Sequence, residues 1–376
     1  MIATVAADTR GCGAAWLMLA AALVIETASC ATVARAQEPA VFPPAPQSFA
    51  PDIDVSEVAW SGPTFPEPLW TSYALTDALF WGRDNQAADQ PLVVSQDSGQ
   101  PLINAQDLQF PFSAGVRAFY GQRAPNRGGW EIGYFGVYGQ SATQYLAVPP
   151  PDFIQVPEPL GSLLTADGES VTVKYNSVIN SAEANLFSTR NEWREPTGSW
   201  RTVDWLLGFR YLGVEEQASI LMDGCVKDGC SAGDSVTSVP YEASTRNNLF
   251  GAQIGNRTRW TWENWAFEGW AKAGLFGNAQ KQIQAPLYDY TGFQLREGQS
   301  ATGGQVAFVG DINTSIVYRL TDVWGIRAGY NLIWIDGLAL APNQFDFTTD
   351  DGSGSRLAQG GGIFMHGANL GLEARW

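Results

Sequence analysis

Histidine appears once, at His366, and cysteine only four times in 376 residues. Two of those cysteines, Cys12 and Cys30, fall in the first 36 residues, which leaves Cys225 and Cys230. Two thiols and one distant imidazole fall short of the four ligands of a structural zinc site. Positive charge is scarce as well: 22 Lys and Arg against 38 Asp and Glu give a net charge of -16. A nucleic-acid partner is thereby excluded, because gripping a phosphate backbone needs clustered cations that displace its counterions. Charged residues of either sign make up 16% of the chain, well under the roughly 25% of an ordinary soluble domain. After the N-terminal segment no apolar run reaches the roughly 18 residues of a membrane-crossing helix, so a helical membrane protein is excluded. No phosphate-binding or dinucleotide-binding glycine motif and no metal-ligand cluster occurs. No cofactor is expected.

The first 36 residues form a separate unit. Arg10 precedes an apolar run from Ala14 to Ile25, and Ala34-Arg35-Ala36 supplies a small-residue cleavage site. The run is too short to span a bilayer, which takes about 20 helical residues. These features define a secretory signal peptide. A cut before Cys30, after Thr27-Ala28-Ser29, is the competing processing and would give a lipoprotein. Residues 37–70 hold eight prolines, five acids and no Lys or Arg, a composition that cannot bury enough apolar surface to order itself. They are expected to form an acidic periplasmic leader. In an exported chain Cys225 and Cys230 are expected to close a disulfide, with two free thiols as the alternative.

From residue 71 onward, glycine, tryptophan and a two-residue alternation are abundant. Val203, Trp205, Leu207, Phe209 and Tyr211 alternate with Thr202, Asp204, Gly208 and Arg210. Trp324, Ile326, Ala328, Tyr330 and Leu332 alternate with Arg327, Gly329 and Asn331, and Phe308, Ile312, Ile316 and Tyr318 with Asp311, Asn313, Ser315 and Arg319. Period two means strands with unlike faces. Further candidates are 73–83, 114–122, 129–140, 174–190, 247–260, 263–276 and 364–376, about ten in all. Short connections around 123–128, 191–198, 260–262 and 320–323 alternate with long ones at 84–111, 141–170, 215–240, 280–304 and 339–362. That sorting by length is the mark of an all-β fold, an up-and-down antiparallel transmembrane β-barrel. Ten strands are expected. Twelve is the alternative, if long connections such as 162–175 hide hairpins. A soluble sandwich is the competing fold, but its crossings have no reason to sort loops by length.

Tryptophans test the assignment. Trp130, Trp200, Trp260, Trp262, Trp324 and Trp376 sit beside short connections or at the chain end, where one membrane interface would collect them as a girdle. Counting back in twos from Trp376 gives Ala374, Leu372, Leu370, Ala368, His366 and Phe364, while Arg375, Glu373, Gly371 and Asn369 face the other way. An aromatic residue closing such a strand is similar to the signal by which the barrel-assembly machinery accepts outer-membrane barrels.

Three stretches carry a resemblance: Tyr73-Ala-Leu-Thr-Asp-Ala-Leu-Phe-Trp81, Tyr175-Asn176-Ser177 with Glu183-Ala184-Asn185-Leu186, and Asp204-Trp-Leu-Leu-Gly-Phe-Arg-Tyr211. They resemble a family of outer-membrane β-barrel proteins expanded in planctomycete bacteria, although Phe80 stands where that family's pattern has a tryptophan. The resemblance implies fold and outer-membrane location, and no activity.

Charged strand residues should point into the lumen, since Arg or Lys at the lipid midplane costs about 2–4 kcal/mol. By parity the inward acids are Asp77, Glu131, Glu183, Asp204, Glu268, Asp311 and Glu373. The inward bases are Arg117, Arg210, Arg257, Arg259, Lys272, Arg319, Arg327 and Arg375. A barrel of about ten strands is only slightly wider than one that side chains fill, so these near-balanced charges should cross-link opposing walls. A salt-bridged plug is favoured over an ion pathway. Catalysis finds little support, because His366 shares the lipid-facing parity of Trp376, and Asp350-Asp351 lies in a Gly/Ser-rich acidic turn. The expected role is structural or surface-exposed and not enzymatic. The alternatives are a porin-like channel for small solutes and a loop-based adhesin or enzyme. Expected partners are outer-membrane lipid and the assembly machinery, with small solutes or divalent cations at the acidic loops.

Overall fold

The computed structural model describes residues 72–124, 127–149, 152–165, 167–194, 196, 198–225 and 236–376. The signal, the leader, and Cys230 with its expected pairing to Cys225 lie outside the described residues. Ten long strands carry the fold: β1 (Ser72–Gln86), β2 (Ser113–Arg123), β3 (Gly128–Ala147), β4 (Asp167–Arg194), β5 (Trp200–Cys225), β6 (Val236–Trp262), β7 (Trp265–Gln284), β8 (Gln299–Arg319), β9 (Trp324–Leu338) and β10 (Gly361–Arg375). Each pairs antiparallel with its sequence neighbours. β1 also pairs with β10 from Tyr73↔Arg375 to Gln86↔Gly362, which closes the ring. The backbones of Ser72 and Trp376 exchange N–H···O bonds of 2.9 and 3.0 Å across that seam. Closure leaves no barrel edge to template another chain.

The ring therefore has ten strands, and the twelve-strand alternative falls. Short strands do occur in the long connections, at Pro91–Ser95, Pro101–Asn104 and Ile154–Gln155. They pair with one another and then with Gly168 at the end of β4, so they extend the sheet sideways and do not enter the ring. Three boundaries also move. The turn expected at 260–262 lies at Glu263-Asn264, with Glu263 in the left-handed region at φ 46°. The connection expected at 141–170 is strand at both ends and the described part of 215–240 is all strand, because β3 and β4 stay paired out to Ala147↔Ser170, and β5 and β6 out to Cys225↔Val236.

The extra length has a physical signature. In the half of β5 near the short turns, Trp205, Leu207 and Phe209 face outward, and Asp204 and Arg210 are buried inside. Further along, Val214, Ala218, Ile220 and Met222 are buried inside, while Glu215 and Gln217 are exposed. β4 inverts in the same way, from inward Ser181, Glu183 and Asn185 to inward Val171, Val173 and Tyr175. Apolar-out with polar-in suits lipid, and apolar-in with polar-out suits water. The same strands thus cross from one solvent into the other.

The seam needs small residues. A Cβ at Gly371 on β10 would stand 2.1 Å from the Thr76 carbonyl oxygen and 2.2 Å from Asp77 Oδ1. Glycine there lets the first and last strands close around the buried Asp77.

Candidate functional site in the barrel interior

Inward side chains stack in layers along the axis. Nearest the short turns, Arg257 Nη1 donates to Glu131 Oε2 at 2.6 Å and its Nη2 to Asp204 Oδ2 at 3.0 Å. Tyr73 joins this group by donating its hydroxyl to Glu131, and Arg123 approaches Asp204 at 3.0 Å. Beside it Arg259 grips Glu373 through two bonds of 2.6 and 3.1 Å and Glu268 at 2.9 Å. Arg375 meets both carboxylates. Such forked guanidinium pairs are the strong form of the interaction.

A second layer centres on Trp270. Arg117 lies 4.8 Å and Lys272 Nζ 5.4 Å from the ring centroid, and the indole N–H donates to Asp311 at 3.2 Å. Lys272 reaches Glu183 at 2.5 Å, Arg210 reaches Asp311 at 3.1 Å, and Arg117 holds Asp77 at 2.5 Å. Arg327 approaches Asp77, Glu268 and Glu373 at 3.1, 3.4 and 3.7 Å and so joins the two layers. The first of these is an ion pair without hydrogen-bond alignment. Asn313, Asn331 and Asn369 chain together beside it. A void lined by Glu131, Arg257, Glu268, Trp270 and Lys272 measures about 10 Å³, room for about one water.

Above the charges the interior turns dry: Leu79, Trp81, Phe135, Val137, Ile179, Leu212 and Leu249 are all buried. Over this layer sits one more ion pair, Arg83 with Glu216 at 2.6 Å, to which Tyr175 donates its hydroxyl at 2.9 Å. Glu216 also accepts the Ala341 N–H at 3.0 Å. That contact introduces the cap, residues 339–360, which folds into the mouth. The cap is held by amides on the wall: Asn247 brackets Ala339 with bonds of 2.9 and 2.8 Å, Gln282 donates to the Gly354 carbonyl at 2.7 Å, and Gln284 to that of Gln344 at 2.5 Å. Asn278 and Gln280 both donate to Gly337, a bulge residue whose φ of 84° favours glycine.

Of the side chains expected in the lumen, fourteen face inward and pair. Arg319 instead stands at the short-turn mouth, half-buried, beside a void of about 20 Å³ shared with Arg259, Glu373 and Arg375. It is the last residue of β8, where the wall ends. Arg83 and Arg123 escaped the sequence reading although they share the parity of Asp77 and Arg117. Glu216 falls within the connection expected at 215–240, where the structure has strand. Trp130, Trp260, Trp262, Trp324 and Trp376 stand exposed on the outer wall at the short-turn end, joined by Trp193 and Trp265. Trp200 is half-buried and donates its indole N–H to Glu192 at 2.9 Å. His366 faces outward, its Nδ1 2.7 Å from the Tyr330 hydroxyl and its ring packed on Phe112 and Phe364.

The family model described as Putative beta barrel porin-7 (BBP7) matches residues 164–376. The chain belongs to this family. The matched region runs from the end of the second long connection through the closing strand, and includes the residues of the Trp270 layer from Glu183 onward. A search of curated proteins finds no match. Among solved structures, the outer membrane protease OmpT of Escherichia coli is similar at 10% identity and TM-score 0.45, covering 81% of this chain and 97% of that one. The toluene transporter TodX of P. putida gives 8% identity and TM-score 0.22 over 81% and 90%. The family and the closed ring together make this an outer-membrane β-barrel protein.

The cap offers a pH test. Burial works to raise the Asp346 carboxyl, but bonds from the Thr348 hydroxyl, the Gly354 and Thr348 N–H groups and the charge of Arg296 outweigh it and hold it low. A folded value below the unfolded one means the carboxylate's contribution is complete above about pH 3.9 and is lost as pH falls through the lower folded value. Pepsin digestion followed from about pH 4 to about pH 2 should therefore nick residues 345–356 only at the acid end. Uniform resistance across that range would remove Asp346 from the role.

Proposed function

We propose that this protein is a closed outer-membrane barrel of structural and surface-display role, neither an open diffusion channel nor an enzyme. The observation that carries the reading is the filled lumen: two charged layers, a dry aromatic-aliphatic layer and a seated cap lie in series on one axis. Each of the seven inward carboxylates of the two charged layers, and Glu216 above them, has a cationic neighbour, which leaves none of these poised as a free acid or base. A buried charge stripped of its partner is strongly unfavourable, so the network resists the separation that a water path would need. The short turns and girdle then lie at the periplasmic face and the long connections outside, with export through the N-terminal signal. Strand motifs alone support the planctomycete kinship. An acidic crown on the long connections suits weak contacts with cations or with surfaces.

Planar-bilayer recording of the purified barrel tests this: current should stay at the bare-membrane baseline. Regular conductance steps would favour the second reading, a small-solute channel, to which the porin description of the family gives support.

A further inference from the structure

The outer wall at the short-turn rim carries a feature that the lumen does not use. A bulge between Thr189 and Asn191 shifts the register of β4 by one residue and so turns Trp193 outward. Trp193, Arg201, Trp260 and Phe267 then stand side by side in cross-strand register on four consecutive strands. The Arg201 guanidinium lies 5.4 Å from the Trp193 ring centroid, and Trp193, Trp260 and Phe267 are 47%, 45% and 39% exposed. Together with Thr258 and Arg194 they line an open groove of about 630 Å³. Arg201 is exposed and forms no ion pair among the described residues. The other charges at this rim among the described residues include Arg194 and Arg127, both drawn to Glu192 at 3.8 and 3.2 Å.

An outward arginine in the plane of the tryptophan girdle sits at headgroup depth, where its cost in the membrane falls to about 0–1 kcal/mol. There its planar fork of donors matches a phosphate, and the adjacent ring limits its motion. On β5 the outward face continues from Arg201 toward the membrane interior as Val203, Trp205 and Leu207, the last two 53% and 60% exposed, as an acyl chain would require and a free anion would not. We propose that this groove binds one anionic phospholipid of the periplasmic leaflet, its phosphate on Arg201 and the first carbons of its chains against Trp260 and Phe267. The assignment rests on the barrel's place in the outer membrane and is independent of whether the lumen conducts.

Native mass spectrometry of the detergent-purified full-length barrel, with phosphatidylglycerol, phosphatidylcholine or inorganic phosphate added, separates the sources. The wild-type protein should retain phosphatidylglycerol about fivefold better than phosphatidylcholine, and millimolar inorganic phosphate should leave it bound. Arg201→Gln should erase that preference, Arg201→Lys should keep part of it, and Trp193→Ala with Trp260→Ala should lower retention of both lipids. The heat-dependent gel shift of each variant confirms that the barrel is folded before it is scored. Equal retention of the two lipids by the wild type, an unchanged preference in Arg201→Gln, or displacement by inorganic phosphate would overturn the proposal.

Discussion

Arg327→Met is expected to cost the barrel about 3–5 kcal/mol, the penalty of leaving buried carboxylates without their cation. Arg327 is fully buried and approaches Asp77, Glu268 and Glu373, one from each of three strands. Methionine comes close to the side chain's volume but carries none of its charge. Asp77 would keep Arg117, whereas Glu268 and Glu373 would crowd each other with only Arg259 and Arg375 between them. The measurement is the urea or temperature midpoint at which the unheated protein loses its folded, fast-migrating gel band. Arg246→Ala is the control. Its pair with Glu215 is as short, 2.9 Å, but 60% and 56% exposed, so about 0–1 kcal/mol is expected. Equal midpoints for the two variants would mean that the lumen network does not hold the walls together.

Removing most of the cap, residues 342–358, should have an effect of similar size on the mouth and none on conductance. Phe345 and Phe347 are 3% and 8% exposed, and burying a side chain of this kind is worth about 1.5–3 kcal/mol. Their loss opens the underside of Tyr241, whose ring packs on both at 4.9 and 6.0 Å. Trypsin should then cut the exposed strand ends at rates at least tenfold higher, since about 1.4 kcal/mol already corresponds to tenfold in the open population. Bilayer current should nevertheless remain at baseline, because the dry layer of Trp81 and Phe135 and the two charged layers lie beneath. A truncated barrel that conducts would place the block in the cap and turn the molecule into a gated channel.

Much of the fold was legible because lipid imposes one rule on every strand: apolar outward, variable inward. Val203 to Tyr211 announces that rule, and the parity of Trp376 places Glu373 and Arg375 in the lumen. The same rule hid the outer halves. Beyond the membrane the contrast between faces reverses, and β5 past Glu215 no longer matches a membrane template although it remains strand. Glu216 was lost for that reason, and with it Arg83, which lies 133 positions away in sequence. A bulge defeats parity outright, as at Asn191, where a one-residue shift sends Trp193 to the lipid side. Layering was illegible for a different reason. Arg327 meets Asp77, and Lys272 meets Glu183, only because a ring of ten strands fixes which walls oppose each other, and no local pattern encodes that.

Strand length has a consequence of reach. β4 runs for 28 residues, about 70 Å along the axis at about 3.3 Å per residue and a tilt of about 40°. The lipid-facing band of such barrels is only about 25 Å tall. More than half of the molecule's height is thus a stiff, water-facing pillar, its outer surface set with Lys174, Glu215, Arg246 and Glu242. In the proposed orientation, with the short turns at the periplasmic face, anything that approaches the cell at this point would meet that pillar long before it met lipid.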